Sequence, residues 1–277
     1  MAILLALAAA ALSGSGDFLG GLASRRGRVM AVVLTNHVAG VITVLLLGPL
    51  FGGGLDGRTI LWGSFAGLSG AAAVIALYSG FARSSMAVVS PIAAVGAGVW
   101  PVLWQILGGE VPGPVVSAGL VVGLVAIWTI SSGGHLHEAE EVRTGVIYGV
   151  LAGLGFGGLL ILLSLGTDSS GIWALLPARI AGSVVMLIVV GATGREFRPQ
   201  RGSMIPSVGA GVLVTLGNGF FVLATTKGSL AVVSVLAAMF PATTVILAWA
   251  FLGERLTGQR RVGLVLALIA VGLVAGG

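Results

Sequence analysis

Apolar runs of about 20 residues follow one another along nearly the whole chain, separated by short breaks rich in charge, glycine or proline. A bilayer core is about 30 Å thick, and a helix rising about 1.5 Å per residue crosses it in about 20 residues. Breaks at charges and turn residues delimit ten predicted spans, at 2–23, 29–51, 59–82, 84–108, 113–131, 144–165, 170–193, 203–226, 229–252 and 258–276. Several connectors hold only a few residues, which makes neighbouring spans antiparallel. The pattern therefore predicts an all-α integral membrane protein. Residues 2–12 resemble a signal-peptide core, but no Lys or Arg precedes them and the run continues to about Ala23, so a retained first span is expected.

The pattern repeats. Ala87-Val88-Val89-Ser90, followed by Gly109-Glu110, recurs as Ala231-Val232-Val233-Ser234 followed by Gly253-Glu254, both displaced by 144 positions (234 − 90 and 254 − 110). Gly119-Leu120-Val121 returns as Gly263-Leu264-Val265 in the same register, and Arg83 is answered by Lys227. Earlier in each half the register slips by two, so that 34–40 pairs with 176–182 and His37 faces Arg179. The longest connector, Ser132 to Arg143, falls between the fifth and sixth spans. The expected organisation is a first five-helix repeat at 1–131, a linker at 132–143 and a second five-helix repeat at 144–277. Because five is odd, the second copy enters the membrane in the opposite sense, which gives the inverted repeat typical of alternating-access transporters.

Composition narrows the function. The 277 residues are 57% hydrophobic and 8% charged, against roughly 25% charged in soluble domains, and the mean hydropathy is +1.11. The net charge of +5 comes from arginines in or beside short connectors, where they act as orientation signals. It does not form the basic patch with interleaved aromatics that nucleic acid requires. Cysteine is absent, which removes disulfides and thiolate metal sites. No phosphate-binding G-x-x-x-x-G-K-[ST] loop occurs, no His/Asp/Glu group has metal-ligand spacing, and no nucleophile–base pair is evident. No cofactor is expected, and uphill transport would draw on an ion gradient or a partner.

A ten-span chain with duplicated halves resembles the drug/metabolite transporter superfamily, specifically its EamA branch. The more specific marks are Gly-Glu closing the fourth and ninth spans, as in Leu252-Gly253-Glu254-Arg255-Leu256-Thr257, and Arg-x-Ala opening the seventh, Arg179-Ile180-Ala181. The resemblance covers essentially the whole chain. It implies a basket of ten helices in the plasma (inner) membrane around a central cavity, moving small metabolites such as amino acids, sugars or drugs. It also implies cytoplasmic termini, whereas the arginine count puts the odd connectors in the cytoplasm and the termini outside; the chain ends at Gly277 without a basic tail. The orientation stays open. Where the family often carries Trp-Gly, this chain has Ser13-Gly14, so an aromatic contact is missing there.

Seven side chains are candidates for a substrate site: Asp17, His37, Tyr78, Trp100, Arg179, Asn218 and Thr244. An aspartate at mid-membrane costs roughly 2.5–3.5 kcal/mol on insertion scales, so Asp17 should face a cavity or a partner, taking up a proton or binding a cation. The alternative places it near the interface, paired with Arg25 or Arg26. Arg179 suits a carboxylate or phosphate held bidentately, and His37 can titrate near neutral pH; alternatively both snorkel or pair structurally. Tyr78 and Asn218 lie in segments that the resemblance places around the cavity, with an interhelical hydrogen bond as the plain reading of Asn218. Trp100, opposite Thr244 in the repeat, could stack on a substrate ring or simply pack. Pro91, Pro101 and Pro241 should kink their helices. Glycines at small-xxx-small spacing, such as Gly149, Gly153 and Gly157, mean close helix contacts. Glu110 and Glu254 are expected in structural salt bridges with connector arginines.

The expectation is a secondary transporter, an exporter or permease, of small polar or amphipathic metabolites by alternating access, with proton coupling through Asp17 or His37. Its partners would be a small-molecule substrate, membrane lipids and protons, with no nucleic acid, as a monomer or homodimer. The rivals are an integral membrane enzyme acting on lipid or isoprenoid, and a non-transporting scaffold. Asp17 falls opposite Leu159 or Ile161 (17 + 142, 17 + 144), so the halves share a backbone pattern but not their polar side chains.

Overall fold

The structure, a computed structural model, describes residues 1–50, 52–109, 112–131, 139–165, 168–193, 200, 202–225, 227, 237, 239–254 and 257–276. The α-helices are α1 Ala2–Arg26, α2 Val29–Leu47, α3 Gly57–Arg83, α4 Met86–Leu107, α5 Pro114–Ser131, α6 Ala139–Ser164, α7 Leu175–Thr193, α8 Met204–Thr225, α9 Phe240–Leu252 and α10 Gly258–Gly276. Short 3₁₀ turns at Gly48–Leu50 and Asp168–Ala174 follow α2 and precede α7. By length and composition, α1, α2, α3, α6, α7 and α8 are able to cross a membrane. The protein is an all-helical integral membrane protein.

Local chemistry explains the helix ends. Asp56 caps α3 by accepting from the Thr59 N–H at 2.7 Å, and Ser85 caps α4 by accepting from the Ala87 N–H at 3.1 Å. Glu140 and Glu141 stand in the first turn of α6, where the helix dipole favours a negative charge. That helix starts at Ala139, so the expected linker is helical over its last five residues. The second span stops at Leu47, before Pro49, rather than running to 51. The seventh helix proper starts at Leu175, after Gly171 turns the chain at φ 52°. Pro241 occupies the first turn of α9, where a missing N–H is tolerated. Most residues before it lie outside the described ones, and α4 is a single helix through Pro91 and Pro101. Most of the expected ninth span before Phe240, the Ala231–Ser234 motif and Glu110 lie outside the described residues.

Large apolar side chains point outward, as in a molecule solvated by lipid: Leu46, Leu124, Trp128, Ile188 and Phe251 are all exposed. The interior is built from small residues. Among the helices, α1 packs on α8 and α3 on α6; α2 packs on α8 and α3 on α7; α4 packs on α6 and α1 on α9. Adding or subtracting five turns each member of these pairs into its companion. The pairings α2–α7, α5–α10 and α4–α9 map onto themselves. The α4–α10 and α1–α3 contacts, among others, have no such companion among the described residues.

The same exchange reaches individual glycines. A Cβ on Gly67 would overlap the carbonyl oxygen of Ala178, and a Cβ on Gly211 would overlap that of Asn36. These contacts are related by the sequence offsets, 67 + 144 = 211 and 36 + 142 = 178. Likewise Gly40 faces the side chain of Arg179 and Gly182 faces the ring of His37, with 40 + 142 = 182 and 37 + 142 = 179.

Candidate functional site

The crossing of α2 with α7 is where the apolar bundle becomes polar. Gly40 leaves room for the Arg179 stem, whose Cδ and Nε would stand 3.0 Å from a Cβ there, with the Thr215 hydroxyl of α8 at 3.1 Å. Arg179 then reaches α2, where Nη1 donates to Asn36 Oδ1 at 3.0 Å. The Asn36 amide is used at both ends, since Nδ2 donates to the Tyr78 hydroxyl of α3 at 3.0 Å. Three helices are thus joined by a hydrogen-bonded chain whose members are all buried: Asn36 is 1% exposed, Tyr78 1% and Arg179 8%.

The Tyr78 ring and hydroxyl press on Gly20 of α1 so closely that no Cβ would fit. Asp17 lies three residues before Gly20 and hence on the same face of α1. It is half-buried and within electrostatic range of both Arg179 and Tyr78. No salt bridge joins it to Arg179 among the described residues. His37, beside Asn36, is 4% exposed, packs against Gly182, and has no hydrogen-bond partner at either ring nitrogen. The site therefore holds one guanidinium, one carboxylate and one unpartnered imidazole.

Magnitudes show that stability alone does not account for these groups. Insertion of Arg or Asp at mid-membrane costs roughly 2.5–3.5 kcal/mol each. An interhelical hydrogen bond in a membrane returns on average about 0.6 kcal/mol, and at most about 1.7. One charge-assisted and one neutral hydrogen bond do not offset two such insertion costs. Buried groups of this kind make the cluster the candidate site.

Residues 143–276 match the EamA-like transporter family. The second half of the chain is therefore similar to EamA-like transporters. The family is part of the drug/metabolite transporter superfamily, and a membrane transporter of that type is the function it indicates. A solved structure described only as "Crystal structure of protein" is similar over 96% of this chain and 97% of its own, with a TM-score of 0.62 and 16% identity. At that identity the likeness shows a shared fold alone. No curated protein matches the chain.

Asp17, His37, Tyr78 and Arg179 come together at one place. Thr244 is fully buried, and its hydroxyl donates to the Gly14 carbonyl at 3.0 Å, tying α9 to α1. Trp100 is half-buried and packs against Gly157 of α6. Asn218 is half-buried in α8. No hydrogen bond among the described residues joins these three to the cluster. Asp17 does not pair with Arg25, because Arg25 bonds to Glu254 and to the carbonyls of Phe81 and Ser84. Glu254 forms a salt bridge with Arg25.

Asn36 is the residue that the sequence reading missed, although a neutral amide in an apolar span, next to His37, was a usable signal. Among the described residues no three His, Asp or Glu side chains gather as metal ligands. An apolar groove of about 400 Å³ between α3 and α7, lined by Ile60, Ser64, Leu68, Pro177, Ile180 and Val184, lies on the lipid-facing surface and contains no member of the cluster.

Proposed function

We propose that the chain is a secondary transporter of small polar or amphipathic metabolites, with the Asp17–Asn36–His37–Tyr78–Arg179 cluster as its substrate site. The observation that carries this reading is the buried charge at the α2–α7 crossing, whose α7 side lies in the half that matches a transporter family. Arg179 presents N–H groups beyond the one engaged by Asn36, and these suit a carboxylate or phosphate. Asp17 suits a cationic group or a proton. The two interact electrostatically without a salt bridge among the described residues, and their opposite charges suit a molecule bearing both. Trp100, Asn218 and Thr244 then belong to the surrounding walls rather than the centre.

The architecture proposed is ten membrane-spanning helices in two inverted repeats, 1–131 and 144–277, in the plasma (inner) membrane. Support comes from the companion helix pairs and the duplicated glycine contacts, which a two-fold axis in the membrane plane would generate. Alternating access would then rock one repeat against the other around the cluster. Proton coupling would run through Asp17 or His37, the titratable groups of the site.

The test is a ligand-stabilisation screen of purified protein over amino acids, sugars, nucleosides and amines, followed by proteoliposome flux of the hit. Asp17→Asn and Arg179→Gln should each abolish the stabilisation. Flux that keeps its pH dependence in both Asp17→Asn and His37→Gln would remove proton coupling from the account.

A further inference from the structure

Four helix ends meet on one face of the bundle: the C-terminal ends of α1, α3 and α9 and the N-terminal end of α4. Arg25, in the last turn of α1, sends Nε to the Phe81 carbonyl at 2.7 Å and Nη2 to the Ser84 carbonyl at 3.2 Å. The same Nη2 reaches Glu254 Oε1 at 2.5 Å. Glu254 stands just beyond α9, after Gly253 turns the chain in the left-handed region at φ 67°. Its carboxylate also accepts from the Ser85 hydroxyl at 2.7 Å and from the backbone N–H groups of Met86 at 3.3 Å and Ala87 at 3.4 Å. A helix N-terminus favours such an anion through its free N–H groups and its dipole. Deeper in the same seam, the rings of Phe18 and Phe251 stand 5.9 Å apart, bringing α1 and α9 together.

We propose that this Arg25–Glu254 clasp is the gate of that face, and that it must part before the polar cluster can be reached from there. The inference rests on the transport reading above. Each side-chain contact of Glu254 runs from α9 to α1 or to the start of α4, so the carboxylate holds separate elements and caps nothing of its own. Two of the partners, the Ala87 N–H and Arg25, keep a substitute when Glu254 leaves. Ser85 already accepts from the Ala87 N–H, and Arg25 retains two carbonyls. The ion pair is partly exposed, at 28% and 13%, so water can take over the remaining contacts. A buried clasp without substitutes would be a permanent staple; this one can open and close.

The absence of cysteine makes thiol labelling clean. Ser183→Cys reports from one turn beyond Arg179 towards the clasp, since Ser183 bonds to the Arg179 carbonyl four residues back. Thr43→Cys reports from the opposite end of α2. Each is labelled with a membrane-impermeant maleimide in the purified full chain. Glu254→Gln, which is isosteric and keeps the fold, should speed labelling at 183 by about tenfold, the scale set by losing a charge-assisted hydrogen bond. Labelling at 43 should slow. Arg25→Lys keeps the charge and should stay within about twofold of the parent, as exposed ion pairs do. Unchanged labelling at 183 in Glu254→Gln, with faster amide exchange at Met86 and Ala87, would overturn the gate and leave a local cap. Faster labelling at 183 with no slowing at 43 would keep the gate and overturn the coupling of the two faces.

Discussion

Gly67 meets the carbonyl of Ala178, and Gly211 meets the carbonyl of Asn36. The backbone approach is the same in both, at positions related by the repeat, yet one partner carries a methyl group and the other an amide that joins Arg179 to Tyr78. The neighbouring contacts differ in the same way: Gly40 admits a guanidinium stem where Gly182 admits an imidazole. Close packing in this bundle is duplicated and chemistry is not. The duplicated part sets how the helices cross, and the unduplicated part sets what the crossing can hold.

The largest effect should come from breaking the shared contact. Gly67→Leu and Gly211→Leu would each force a side chain onto a carbonyl oxygen, and overpacking of that kind costs about 1–3 kcal/mol or more. Both should lower the melting temperature by similar amounts in a thermal unfolding assay; a mild loss at one site alone would break the equivalence. Next comes the unshared amide. Asn36→Ala should cost about 1–2 kcal/mol, because it leaves the guanidinium and the tyrosine hydroxyl without this partner. Ligand stabilisation should disappear along with it. A smaller change is expected for Thr244→Ala, which removes one neutral interhelical bond worth about 0.6 kcal/mol. Its ligand response should match the parent's. The smallest belongs to Leu46→Val on the lipid face, within about 0.5 kcal/mol of no change.

These differences also explain what could be read from the sequence. Asp17, His37 and Arg179 stand out because charge or a titratable ring in an apolar span is costly wherever the chain goes, so the signal is local. Asn36 carries a weaker local cost, and its importance lies in linking α7 to α3. The partnership of Arg25 with Glu254 spans 229 positions, and only the packed helix ends bring it about. Hydropathy located the helices but not all of their ends: the second stops at Leu47 before Pro49, the seventh starts at Leu175 after Gly171, and Pro241 lies in the first turn of a helix inside what reads as one continuous apolar run. Thr244 was singled out through its alignment with Trp100, a relation that holds for the backbone. Its hydroxyl donates to the Gly14 carbonyl, and no hydrogen bond among the described residues joins it to the cluster.

The most direct test of the central claim is the thermal shift of a stabilising ligand, measured in parallel on the parent, Asp17→Asn, Arg179→Gln and Thr244→Ala. If the unduplicated charges form the substrate site, the shift survives in Thr244→Ala and vanishes in the other two. A ligand that stabilises all four proteins equally would place the site elsewhere and contradict the account.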